Sequence, residues 1–309
     1  MNRATIKIRN YQPADFHKYV LLQTEIEKRE PIGCCVSPQF VAEHLRRPNY
    51  SPEQDLFIVE IDKDIVGYMD VKRELTIDRV VLDCRVHPEY RRNGLATQLL
   101  SYATNRAKEL RAKVAHVNIR EDNIVARRVL SRLGFSLVRR FLELRLDINS
   151  VGALDIGPTA IGCNYLKPGE EDKLTQLQNR AYAGTWGYNP NTVEEITFRV
   201  NSSTCSREDI VLIYEGDKAI GYCWTGISCE EGIRSIRKGR ILMLGVDPDY
   251  RGKGIGKRLA LAGLAYLKSK GLQVAELTVD SENKIACTLY QSLGFEVQAN
   301  TFWYEKVIN

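Results

Sequence analysis

Leu244-Gly-Val-Asp-Pro-Asp-Tyr-Arg-Gly-Lys-Gly-Ile-Gly-Lys-Arg258 decides how the rest of the chain is read. Leu244, Gly245 and Val246 end an apolar strand that stops at Pro248, a basic glycine turn follows, and a helix is expected from about Ile255 to Lys270. Gly252, Gly254 and Gly256 remove Cβ atoms where backbone N–H groups can crowd around an anion, and the helix start aims unpaired N–H groups at the same point. Arg251, Lys253 and Lys257 supply charge suited to a pyrophosphate. Two other phosphate loops are excluded by spacing. A Walker loop fails because Gly256-Lys257 is followed by Arg258 and the position five before Gly256 is Arg251. The dinucleotide fingerprint fails because the third glycine comes one residue early, and Glu276, about twenty residues on, falls inside the next apolar run rather than at a strand end.

The downstream sequence narrows the reading. A strand from Val274 to Val279 precedes Asn283, Ala286, Leu289-Tyr290 and Leu293-Gly294-Phe295. The loop and these residues resemble the GNAT superfamily of N-acetyltransferases, whose acyl-coenzyme A loop Arg/Gln-x-x-Gly-x-Gly/Ala is matched by Arg251 to Gly256. Its Asn-x-x-Ala-x-x-Leu-Tyr-x-x-x-Gly-Phe segment is matched by Asn283 to Phe295. The resemblance implies an α/β (α+β) fold with a mixed, mostly antiparallel central sheet flanked by helices, and acetyl-CoA as the acyl donor.

The motif occurs twice. A shift of 160 positions carries Val86, Pro88, Tyr90, Arg91 and Gly94 onto identical residues at Val246, Pro248, Tyr250, Arg251 and Gly254, and Asn123, Ala126, Leu133, Gly134 and Phe135 onto Asn283, Ala286, Leu293, Gly294 and Phe295. A register held over fifty residues indicates duplication of a whole domain. We expect a first domain over residues 1–149, a glycine-containing linker over 150–160 and a second domain over 161–309. Leu56 to Ile61 and Ile65 to Val71 read as a hairpin around the Asp62-Lys-Asp64 turn, echoed by Val211 to Tyr214 and Ala219 to Thr225. Leu142, Leu144 and Leu146 alternate with charges as the strand that closes the first copy.

Composition sets the class. The 309 residues suit two domains, and 44% hydrophobic with 27% charged residues describes a soluble globular chain without a membrane-spanning run. A net charge of +5 is too small to point to nucleic acid. Eight cysteines without a Cys-x-x-Cys spacing read as reduced cytoplasmic thiols, and His17, His44, His87 and His116 show no metal spacing, so no metal is expected. A monomer or homodimer is expected.

Acetyl transfer to an amine needs a pyrophosphate cradle, a slot for pantetheine, polarisation of the thioester carbonyl and a route for protons. By resemblance, Leu242 to Val246 is the strand that splays from its neighbour, leaving the N–H of Leu244 or Gly245 to face the thioester oxygen. Tyr290 is the expected general acid for the departing thiolate, since a phenol is protonated at neutral pH. Asn283 is either a helix cap or a pantetheine contact. The base is open: Glu276 is the named candidate, with Asp280, Glu194, Glu195 and relay through water beside it. Trp186 and Tyr188 fall where the acceptor loop of the superfamily lies, as substrate walls or core anchors. In the first copy Arg91, Arg92, Asn93, Gly94 and Ala96 keep a loop that can hold acyl-coenzyme A, but Leu130 stands at the position of Tyr290 and Arg92 at that of Gly252. The favoured reading is a catalytic second copy acting on a small-molecule amine or peptide. The alternatives are a non-catalytic acyl-coenzyme A sensor and a protein N-terminal or lysine acetyltransferase.

Overall fold

The computed structural model describes residues 6–30, 36–152, 162–228 and 238–308. It divides into two compact units, Met1–Arg139 with Phe302–Asn309, and Arg140–Thr301. The division does not fall at the expected linker, most of which lies outside the described residues.

In the first unit the order is β1 (Ile6–Asn10), α1 (Phe16–Arg29), α2 (Pro38–Leu45), α3 (Pro52–Asp55), β2 (Leu56–Ile61), β3 (Asp64–Glu74), β4 (Arg79–Val86), α4 (Leu95–Glu109), β5 (Val114–Arg120) and α5 (Ile124–Arg132). Strands β1 to β4 pair antiparallel in sequence and β4 pairs parallel with β5. The run Leu-Phe-Ile-Val-Glu-Ile of β2 is apolar on both sides because both faces of the sheet are covered. Leu56 and Ile58 pack with Tyr19, Leu22 and Ile26 of α1 and Val41 of α2, while Phe57, Val59 and Ile61 pack with Leu95, Leu99 and Ala103 of α4. The β2–β3 turn places Asp62 and Lys63 at φ 51° and 70°, the two positive angles of a tight hairpin turn.

The second unit holds most of β6 (Ser136–Asp147), then β7 (Asn164–Tyr165), α6 (Glu171–Tyr182), α7 (Val193–Val200), β8 (Ile210–Glu215), β9 (Lys218–Ser228), β10 (Lys238–Val246), α8 (Ile255–Ser269), β11 (Val274–Asp280), α9 (Lys284–Ser292) and the start of β12 (Glu296–Val307). Strands β7 to β10 pair antiparallel in sequence and β10 pairs parallel with β11, as in the first unit. Helix α8 packs on Val211, Ile213 and Cys223, and α6 with α7 on Ile210, Leu212 and Trp224.

One expectation needs correcting. The strand read as closing the first copy forms, but Phe141–Asp147 pairs antiparallel with β11 of the second copy, and Leu144, Leu146 and Ile148 join the core of the second unit. Reciprocally, Phe302 and Tyr304 of β12 enter the core of the first unit, where Arg127 Nε donates to the Tyr304 hydroxyl at 3.2 Å. Each unit is thus completed by a strand from the other copy. Among the described residues no helix is long and apolar enough to cross a membrane.

Candidate active site

The site grows from the end of β10. This strand stays paired with β9 through Val246, with an irregularity between Ile241 and Met243, but its parallel register with β11 covers only Lys238 to Ile241. Beyond Ile241 the two strands part, which leaves the β11 side of Leu242 to Val246 without a strand partner. Strands β4 and β5 part in the same way after Val81. Asp247 then fixes the exit: it is fully buried, takes Arg180 at 2.9 and 3.0 Å and Lys218 at 3.2 Å, and accepts from the Asp249 N–H at 3.1 Å. The Arg180 guanidinium, then the Asp249 N–H and the Lys218 ammonium, hold its carboxyl well below the usual carboxylate range.

In the loop Gly252 and Gly254 take φ of 77° and 75°, and no atom lies within 4 Å of where a Cβ would sit on either. Gly254 begins α8 without a side-chain cap, so the first-turn N–H groups are left for an external anion. Lys253 lies 4.9 Å over the Tyr250 ring and Lys257 is exposed. Arg251 has a different task from the one its charge suggests. Its Nη2 donates to the Ala181 carbonyl at 2.6 Å and its Nε to Val246 at 3.3 Å, tying the loop to the end of α6. Gly245 is required by packing, since a Cβ there would lie 2.6 Å from Tyr222 and 2.9 Å from Ala181. Ile255 opens α8 buried in the core, and Gly256 sits where a Cβ would be 3.5 Å from Leu289, which places α9 against the loop.

Tyr182 meets the open end of β10, and Tyr290 belongs to the core cluster against which Leu244 and Val246 pack. The Tyr182 hydroxyl donates to the Leu244 carbonyl at 2.8 Å and accepts from the Leu244 N–H at 3.3 Å. Sequence reasoning missed Tyr182, which ends α6 outside the matched motifs. The signal available was its position just before Gly184 and the aromatic run that follows. Burial pushes its phenol up to about 12. Tyr290 is 7% exposed, meets Phe295 edge to face at 5.6 Å, and its hydroxyl has no hydrogen-bond partner among the described residues. Burial, reinforced by Tyr182 and Cys223, pushes its pKa well above that of a free phenol.

The remaining expected residues have structural partners. Tyr188 stacks on Tyr182 at 5.2 Å and donates to Asn179 Oδ1 at 2.8 Å, and Trp186 lies 6.1 Å from Phe141. Asn283 caps α9, its Oδ1 accepting from the Ala286 N–H at 3.1 Å. Glu276 lies opposite Arg240, four residues before Leu244 on β10, and meets Lys238 at 3.3 Å. Glu195 closes a capping box with Thr192, and Asp280 accepts from the Glu282 N–H at 3.0 Å. Among the described residues no three His, Cys, Asp or Glu side chains are grouped to hold a metal.

The first-copy loop keeps its backbone. Arg92 adopts φ 66° and Gly94 φ 72°, the same left-handed turns as Gly252 and Gly254. For Arg92 that conformation costs about 1–2 kcal/mol. Asn93 donates to the Tyr90 carbonyl at 3.2 Å, and Arg91 is clamped by Glu30 through two contacts of 2.6 Å. Ala96 lies in the first turn of α4, and Leu130 is buried where the second copy has Tyr290.

Comparison with known proteins agrees with the duplication. The profile of the acetyltransferase (GNAT) family matches residues 21–135 and again 172–295. The chain is similar to the mycothiol acetyltransferase of Actinosynnema mirum, 31% identical over 268 residues that cover 84% of this chain and 86% of the relative. It is similar also to that of Streptomyces scabiei, at 26% over 80% and 78% of the two chains. Among solved structures it resembles a GCN5-related N-acetyltransferase from Sphaerobacter thermophilus (TM-score 0.69, 23% identity, 98% and 96% covered). A tandem GNAT protein of the clavulanic acid biosynthesis pathway gives TM-score 0.70 at 14% identity, with 99% of both chains covered. With its fold, its two loops of matching backbone and both halves matched, the chain belongs to the acetyltransferase (GNAT) family, as a tandem-domain N-acetyltransferase whose acyl donor is acetyl-coenzyme A.

Proposed function

We propose that the second copy transfers the acetyl group of acetyl-coenzyme A directly to the primary amine of a small molecule, with Tyr290 as general acid. The observation that carries this is the Tyr290 hydroxyl, on a residue 7% exposed and without a partner among the described residues, on the helix whose Leu289 packs against Gly256 in the first turn of α8. The loop N–H groups and Lys253 would hold the pyrophosphate, and the open side of Leu242 to Val246 the pantetheine amides. Attack of the neutral amine nitrogen on the thioester carbon forms the amide as the C–S bond breaks, and Tyr290 hands its proton to the leaving sulfur. Burial keeps that phenol protonated across neutral pH, as a donor must be. Glu276 is spent on Lys238, so water bridging the open strand end to solvent is the better route for the amine proton. Similarity to mycothiol acetyltransferases favours a small-molecule acceptor over a protein N-terminus. The free thiols Cys84, Cys163, Cys205, Cys223 and Cys287 suit a reducing cytoplasm.

The test is release of coenzyme A thiol from acetyl-coenzyme A in the presence of small amines, then of peptides. Thiol release with an amine and none with any peptide supports the reading, and it should vanish in Gly254→Asp, where a carboxylate would face the pyrophosphate. Binding of acetyl-coenzyme A without thiol release to any acceptor would instead make the chain a sensor.

A further inference from the structure

Consecutive residues in the last turn of α6 each hold a different part of the second site. The Gln178 amide nitrogen donates to Met243 Sδ on β10, and its oxygen accepts from Asn191 Nδ2 at 3.3 Å. Arg180 takes Asp247 at 2.9 and 3.0 Å and Asp249 at 3.0 Å, at the exit of β10. The Ala181 carbonyl, one of the last four that a helix leaves without an internal partner, accepts from Arg251 of the loop at 2.6 Å. Tyr182 holds Leu244. Arg180 and Ala181 thus secure the glycine-rich loop, and Tyr182 secures the strand end whose β11 side is open.

Asn179 is hydrogen-bonded elsewhere. Its side-chain amide lies along the backbone of Asn191, with Oδ1 accepting the Asn191 N–H at 2.9 Å and Nδ2 donating to the Asn191 carbonyl at 2.9 Å. Those two backbone groups fix which way the amide points, since an N–H only donates and a carbonyl only accepts. Oδ1 takes the Tyr188 hydroxyl at 2.8 Å as well, and that hydroxyl accepts in turn from Asn191 Nδ2 at 3.1 Å. The segment from Tyr188 to Asn191 is therefore fastened to α6 chiefly through one side chain. What the fastening holds in place is the Tyr188 ring, stacked on Tyr182 with ring centres 5.2 Å apart and planes 26° apart. Tyr182 is the last residue of α6, with no following turn to confine its ring, and the Tyr188 face supplies that confinement.

We propose that Asn179 is a positioning residue for acetyl transfer: through Tyr188 it sets the Tyr182 ring, and through the Tyr182 hydroxyl the direction of the Leu244 N–H. This rests on the reading of the second copy as the transferase, in which that N–H faces the thioester oxygen. A donor that meets a developing oxyanion acts by being aimed beforehand, and a misplacement of about 1 Å costs about a hundredfold in rate. Binding of acetyl-coenzyme A draws on the glycine-rich loop, which Arg180 and Ala181 hold without Asn179. Loss of Asn179 therefore slows transfer and spares binding.

Two measurements on the full chain carrying Asn179→Ala test this. Amide hydrogen exchange followed by NMR needs no acceptor, and the Leu244 N–H should exchange at least about threefold faster than in the unaltered chain, with the amides of β8 and β9 unchanged. Thiol release with ethanolamine, benzylamine or spermidine, whichever is fastest, should lose about ten- to a hundredfold in kcat/KM, while the calorimetric Kd for acetyl-coenzyme A stays within about twofold. Tyr188→Phe keeps the ring but frees it from Asn179, so it should show smaller changes of the same kind, and it decides the matter if Asn179→Ala does not fold. Unchanged exchange at Leu244 in both variants, unchanged kcat/KM, or a Kd that rises as far as kcat/KM falls would overturn the inference, the last by making Asn179 a structural tie alone. No thiol release from the unaltered chain with any of the amines is a different result: it removes the transferase reading, and this inference with it, whatever the exchange shows.

Discussion

The Tyr182 hydroxyl closes on both polar groups of one residue, donating to the Leu244 carbonyl at 2.8 Å and accepting from its N–H at 3.3 Å. That is the stretch of β10 left without β11 as a partner, so a side chain stands where a neighbouring strand would. The 3.3 Å contact is long enough to yield to a stronger acceptor such as a thioester oxygen gaining charge. Tyr182→Phe is therefore expected to lower stability by about 1 kcal/mol in urea unfolding, as for loss of one buried hydrogen bond, without weakening acetyl-coenzyme A. A large loss of affinity would mean that the phenol itself contacts the cofactor.

Tyr290→Phe should reduce turnover about ten- to a thousandfold with little change in acetyl-coenzyme A affinity, the signature of losing a general acid. The sign of its pKa shift adds a second test. A phenol pushed upward stays protonated, so no alkaline fall in turnover from this group is expected below about pH 10. The deficit of Tyr290→Phe should accordingly be constant between about pH 7 and pH 9. Weaker binding with turnover spared would make the ring a packing element against Phe295.

The duplication and the backbone of both loops were legible because the same residue types recur at fixed spacings, and Gly252 and Gly254 take left-handed turns that favour glycine. Arg251 looked like a phosphate ligand because sequence reports charge and not direction; its guanidinium instead ties Val246 to Ala181. Tyr182 had only a weak sequence signal, its place before Gly184 and an aromatic run, because its role is set by where α6 ends relative to β10, a tertiary fact. The strand with Leu142, Leu144 and Leu146 was read correctly as a strand, but alternation specifies a buried face and not which sheet supplies it.

Asp247 provides a pH test of the loop anchor. Its folded pKa is depressed, so the stability it contributes is present above its unfolded value, about 3.9, and is lost as pH falls through the lower folded value. Asp247→Asn should destabilise the chain at pH 7, and the gap from the parent protein should narrow at about pH 3 and below. Thermal unfolding across that range measures it. A gap independent of pH would assign the loss to the hydrogen bond with Asp249 rather than to the charges of Arg180 and Lys218.

The exchanged strands determine what an isolated second copy can do. A fragment starting at residue 159 lacks Phe141–Asp147, which occupies the edge of β11, and lacks Leu144, Leu146 and Ile148, each 2% exposed or less in the core of that unit. Losing buried aliphatic side chains costs about 2–5 kcal/mol each, so three of them approach the 5–15 kcal/mol that typically separates a folded domain from its unfolded state. It also uncovers the edge of β11, a template for aggregation. The fragment 159–309 is thus expected to be insoluble or inactive, whereas 136–309, which retains β6 and the whole unit Arg140–Thr301, should fold and release coenzyme A thiol. The first-copy fragment 1–150 should be weakened for the reciprocal reason, the absence of Phe302 and Tyr304. Circular dichroism, solubility and thiol release on the two C-terminal fragments separate the outcomes. If 159–309 is as stable and active as 136–309, β6 contributes nothing that the second unit needs, and the dependence of one copy on the other lies elsewhere.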